Sequence, residues 1–132
     1  MRVDEVFMGD PGDIAAARRA AAEWVGRMNV GGALMDGRVA DDVQLVVSEL
    51  VTNAVKHAGG PCGLELRAVD GTVEITVWDT SALGVTVRDP DPLRVGQHGL
   101  EIVRKLCHDF VVAVTPSGKR ITARMAVRPS AV

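Results

Sequence analysis

The chain has 132 residues, a hydrophobic fraction of 47% and a formal net charge of −2 at pH 7. That length suffices to bury a core as one domain spanning residues 1–132. The near-neutral charge gives no electrostatic basis for direct binding to nucleic acid, and no stretch approaches the roughly 18 apolar residues of a membrane span. Cys62 and Cys107 are the only cysteines; without a Cys-x-x-Cys they make neither a disulfide framework nor a zinc site, and fit a reducing compartment. The N-terminus lacks the apolar run of a signal peptide, so the expected location is cytoplasmic. Residues 98–132 carry Arg104, Lys105, Lys119, Arg120, Arg124 and Arg128 against Glu101 and Asp109, a basic bias that reads first as a solvated surface.

In chain order, Val3 to Met8 reads as a short strand. Gly9-Asp-Pro-Gly-Asp13 is a turn feeding a helix over about Ile14 to Met28, with Asp10 or Asp13 as its N-cap. Gly31-Gly32 breaks that helix, and a second runs from Arg38 or Asp41 to His57 and stops at Gly59-Gly60-Pro61. In the second helix Val43, Val46, Val47, Leu50, Val51, Ala54 and Val55 follow the i, i+3, i+4 rhythm of a buried face. Leu64, Leu66 and Ala68 then alternate with polar residues, Asp70-Gly71 is a favoured type I′ turn, and Val73, Ile75 and Val77 alternate in return. Asp79 falls on the same face as that apolar row by the period of two, where an unpaired carboxylate is costly.

Residues Thr80 to Gly96 have little periodicity, and a loop of that length inside a compact domain is usually functional or mobile. Gly96-Gln-His-Gly99 precedes a helix whose buried positions are Leu100, Ile102, Val103 and Leu106. Phe110 to Val114 and Ile121 to Val127 read as closing strands. The order β-α-α-β-β-α-β-β predicts an α+β fold, a two-layer sandwich whose mixed, mostly antiparallel sheet is covered by helices on one face. Trp24, Trp78 and Phe110 read as packing groups. Cys62, beside the helix-ending glycines, reads as near the surface, and nothing nearby activates it as a thiolate.

The chemistry gathers in three places. Glu49, Asn53 and His57 are spaced four apart and share one stripe of the second helix, with Lys56 among them. An Asn amide oxygen is a hard neutral ligand for Mg²⁺, which also takes phosphate oxygens; a Glu one turn earlier can accept a proton from an attacking hydroxyl. A carboxylate such as Asp79 at the end of an apolar slot can accept a hydrogen bond from an exocyclic amine. Gly96 to Gly99, leading into a helix, can present N–H groups to phosphates.

These residues resemble the GHKL ATPase/kinase superfamily, which has the Bergerat ATP-binding fold. The nearest branch is the small anti-sigma-factor serine kinases and their actinobacterial relatives. Glu49-x-x-x-Asn53-x-x-x-His57 is similar to that family's N box, Trp78-Asp79 with the following loop to its G1 box, and Gly96-Gln-His-Gly-Leu100-Glu-Ile-Val103 to its G2 box. The resemblance implies ATP and Mg²⁺ as ligands: Asn53 binds the metal, Glu49 is the catalytic base, Asp79 holds the adenine amine, and Gly96, Gly99 and the Leu100 backbone close on the phosphates, with His57 bordering the pocket. It also implies a serine/threonine kinase acting on an anti-anti-sigma protein, sequestration of a sigma factor, and a homodimer. The chain departs from the family's Asp-x-Gly-x-Gly at Ser81 and Leu83, which favours the alternative of a non-catalytic module that sequesters a regulator with vestigial ATP binding. A late-strand Thr near adenine is common in the family. Thr122 is the candidate here, but its alternation with Ile121, Ala123 and Met125 puts it on the opposite face.

Overall fold

The computed structural model describes residues 2–30, 37–58, 60–69, 71–80 and 97–126. Strand β1 (Arg2–Phe7) leads through a turn to helix α1 (Gly12–Val30), followed by α2 (Gly37–Ala58). The hairpin β2 (Cys62–Val69) and β3 (Thr72–Asp79) comes next, then α3 (Gln97–Leu106), β4 (Asp109–Thr115) and β5 (Gly118–Ala126). The expected α+β order is the observed one. The strands form one sheet in the order β1-β2-β3-β5-β4, and every pairing among the described strands is antiparallel.

Local chemistry explains the element ends. Asp13 lies inside the first turn of α1, and its Oδ2 accepts the N–H groups of Gly9 at 2.8 Å and Asp10 at 2.7 Å. Its carboxylate thus reaches back over the helix start, as the third residue of a capping box does, and complements the positive end of the dipole. The β2–β3 turn closes with Val69 opposite Thr72, and Gly71 takes the positive φ of 76° that such a two-residue loop requires. Gly31-Gly32, Gly59 and Asp70 lie outside the described residues.

The period of two sorts each strand onto two faces. Leu64, Leu66, Val73, Ile75, Ala123 and Met125 are buried on the face that meets the helices. Against them α2 sets Val43, Val46, Val47, Leu50, Val51 and Ala54, all at most 1% exposed, and α1 adds Ala17, Ala21 and Trp24. Val55, Phe110 and Leu106 pack at the margin of this core. The opposite face is a ladder of charge: Arg120 forks both Glu65 oxygens at 3.0 Å, and Arg124 bridges Glu74 and Asp109 at 2.9 and 2.6 Å. Covered on one face and polar on the other, the sheet is one layer of a two-layer sandwich.

Candidate functional site

The C-terminal turns of α2 and one end of the sheet are brought together by a short connection. Helix α2 ends at Ala58 and β2 begins at Cys62, and α2 packs on both β2 and β3. Cys62 pairs in register with Asp79, which pairs in turn with Lys119 of β5. Thr80 Oγ1 donates to the Pro61 carbonyl at 3.4 Å, tying the end of β3 to the α2–β2 connection.

On α2, Asn53 is buried at 6% exposure and Glu49, one turn earlier, is half-buried. Lys56 is exposed, and His57 lies in the last turn of the helix. Among the described residues, the buried Oδ1 of Asn53 has no hydrogen-bond partner. Leaving such an atom unsatisfied costs about 1–3 kcal/mol, so such an atom ordinarily meets ordered water, an ion or a ligand. A hard neutral oxygen with no partner among the described residues fits Mg²⁺, whose remaining ligands are ordinarily water and phosphate oxygens. Among the described residues no cluster of three His, Cys, Asp or Glu side chains is set to hold a metal.

Asp79 closes the apolar row of β3 at 4% exposure, and its counter-charge is Lys119, with Nζ 3.8 Å from Oδ2 and 7% of the residue exposed. Sequence reasoning missed Lys119. The signal was present: Lys119, Ile121, Ala123 and Met125 alternate just as Val73, Ile75, Val77 and Asp79 do, so two antiparallel apolar rows each end in a charge at the same edge. Gly118 makes the approach possible. At φ 150° it lies against the Asp79 carbonyl, which a Cβ there would strike.

Cys62 is buried rather than near the surface, because β2 starts with the thiol turned onto the helix-covered face. Burial pushes that thiol up, and the carboxylates of Asp13 and Asp79 add to the shift, the reverse of what a nucleophilic cysteine needs. Thr122 lies on the open face, its Oγ1 3.1 Å from Thr76 Oγ1, so it does not join the Asp79 row. The expectation of a glycine loop running to Gly99 is corrected in part. Gly99 and Leu100 lie within the first turn of α3, where backbone N–H groups have no partner inside the helix. Gly96, Ser81 and Leu83 lie outside the described residues. A surface hollow at the α3–β4 connection is lined by Arg104, Cys107, His108, Asp109 and Phe110, none of them a predicted site residue.

The model of the histidine kinase-like ATPase domain matches residues 7–125. The fold is similar to that in the crystal structure of the RsbU and RsbW domains of Rv1364c from Mycobacterium tuberculosis, with a TM-score of 0.72 and 20% identity, covering 98% of this chain and 33% of that one. At that identity the likeness is one of fold, and the chain spans about a third of that protein's length. No curated protein matches the chain.

Proposed function

The chain belongs to the histidine kinase-like ATPase domain family, and from that premise we propose that it is an ATP-binding regulator of the anti-sigma-factor type. In this reading it is a cytoplasmic serine/threonine kinase acting on an anti-anti-sigma protein, and it also sequesters a sigma factor, with a homodimer as the working assembly. The observation that carries the proposal is the buried Oδ1 of Asn53, which has no partner among the described residues and stands one helical turn from Glu49. No described helix is long and apolar enough to cross a membrane.

Asn53 would hold Mg²⁺, whose charge, when bound, neutralises the phosphates of ATP. Glu49 would accept the proton of the incoming serine hydroxyl, for which a half-buried carboxylate one turn away is suited. Asp79 would accept a hydrogen bond from the adenine amine at the end of the apolar slot. The N–H groups of Gly99 and Leu100 in the first turn of α3, with Gly96 before them, would meet phosphate oxygens. His57 would border the pocket.

The test is phosphate transfer from γ-labelled ATP to a panel of anti-anti-sigma proteins by wild type and Glu49→Gln. The proposal predicts label on a serine or threonine of the antagonist with wild type, and a loss of at least about 100-fold in Glu49→Gln, the scale of general-base catalysis. Ser81 and Leu83, at positions where the family carries glycine, favour a second reading. In that one the chain is a non-catalytic module that holds its partner with vestigial ATP binding. It predicts a stable complex and no transferred label.

A further inference from the structure

The outer strands of the sheet are β1 and β4, and they are built differently. In six residues β1 carries Arg2, Asp4 and Glu5, the kind of charge with which natural edges resist pairing. The seven residues of β4, Asp-Phe-Val-Val-Ala-Val-Thr, hold one charge, Asp109, at the start of the strand and already bridged to Arg124 at 2.6 Å. They include no proline or glycine, and their register with β5 runs unbroken from Asp109 to Thr115. Val111 and Val114 are 48% and 50% exposed. Among the described residues, no strand pairs with the outer edge of β4. An apolar edge left in this state is a template for another strand.

We propose that this edge is a self-association surface: two copies of the chain pair β4 with β4, antiparallel about a two-fold axis through Val112, and join their sheets into one. The surface deepens the homodimer of the reading above and rests on that part of it alone, since α2, with Glu49 and Asn53, packs on β2 and β3.

The strand itself identifies the occupant. Across a two-fold axis residue i meets residue j, and j meets i. With Val112 on the axis all seven residues pair: Phe110 meets Val114 of the second copy, Val111 meets Ala113 and Asp109 meets Thr115. No like charges face one another, whereas like charges directly opposite destabilise a strand pair. The same operation on the full length of β1 sets Asp4 against Glu5 of the other copy at both symmetric positions.

Shape agrees with this register. Phe110, Val112 and Val114 share the covered face by the period of two. The first two pack at the margin of the core, while Val114 stays half in solvent. Beside Phe110 lies the surface hollow at the α3–β4 connection. The axis carries Val114 of each copy to the Phe110 end of the other, so an uncovered apolar side chain and an open hollow meet at both ends of the interface. A foreign strand would have to supply both features; a second copy supplies them by symmetry.

The test uses charge at Val111 and Ala113, both exposed, so that the core is untouched. Sedimentation should show wild type as a dimer. Val111→Glu combined with Ala113→Glu sets carboxylate against carboxylate twice and should weaken the dimer at least about tenfold. Val111→Lys combined with Ala113→Glu sets opposite charges in the same places and should restore it. A wild type that is monomeric at every concentration, equal dimers in all three proteins, or equal dissociation of both variants overturns the surface. Mg-ATP binding is read calorimetrically on the same samples: its absence from a dimeric wild type overturns the nucleotide reading and leaves the β4 surface standing.

Discussion

Lys119 and Arg120 are neighbours in β5 and finish on opposite faces of the sheet, each opposite a carboxylate. Arg120 meets Glu65 at 3.0 Å with its side chain 49% exposed, whereas Lys119 stands 3.8 Å from Asp79 with its side chain 7% exposed. The better-formed pair is therefore the one in solvent. Exposed pairs contribute little because water already serves both charges; a buried pair bears the desolvation of both and stabilises only when geometry is excellent. A long pair in a buried place is therefore a poor stabilising device. The open face is charged and solvated, and the covered face packs against the helices.

Breaking the buried pair should have the largest effect. Lys119→Leu leaves the Asp79 carboxylate buried without this counter-charge, and urea unfolding should show a loss of about 3–5 kcal/mol. Asp79→Leu combined with Lys119→Leu should recover much of it; a single variant as stable as wild type would erase the contrast between the faces. Next in size, Leu50→Ala empties a fully buried position of α2 and should cost about 2–5 kcal/mol by the same assay. On the open face, Arg120→Gln should cost less than about 1 kcal/mol, a difference that salt further reduces. A larger loss there would mean that the open face is less solvated than its exposure indicates.

An effect confined to alkaline pH concerns Cys107, half-buried where α3 ends. Burial, with the Asp42 carboxylate adding to it, pushes this thiol up to about 11. An unfolded chain gives up that proton near pH 8.5 while the folded chain keeps it. The contribution to stability is complete below about pH 8.5 and falls as pH rises towards 11. Cys107→Ser should flatten that part of the pH–stability curve, and a profile identical to wild type would contradict it.

How much of this was legible in the sequence follows the range of the contacts involved. The α2 face and the β2–β3 hairpin are local: the first needs only the 3.6 period, the second a turn residue and alternation, and both were readable. Pairing of β3 with β5 joins residues 40 to 54 apart in the chain, and no local signal announces it, so Asp79 was seen at the end of an apolar row without its partner. Lys119 was visible at the end of a similar row; what was hidden was that the rows meet. Cys62 was misjudged because the glycines beside it suggested a surface turn, whereas the register of β2 turns its thiol inward. Glu49 and Asn53 share a stripe by helical spacing alone, but only burial separates the half-covered carboxylate from the amide oxygen without a partner.

The central claim is that the α2 stripe and the Asp79 end of the sheet bind a nucleotide through Asn53. Calorimetric titration of wild type and Asn53→Ala with ATP, each in Mg²⁺ and in EDTA, tests it most directly. The account predicts saturable binding by wild type that weakens at least about tenfold without Mg²⁺, and an Asn53→Ala protein whose residual affinity is indifferent to the metal. Equal, Mg²⁺-dependent binding by both proteins would contradict it.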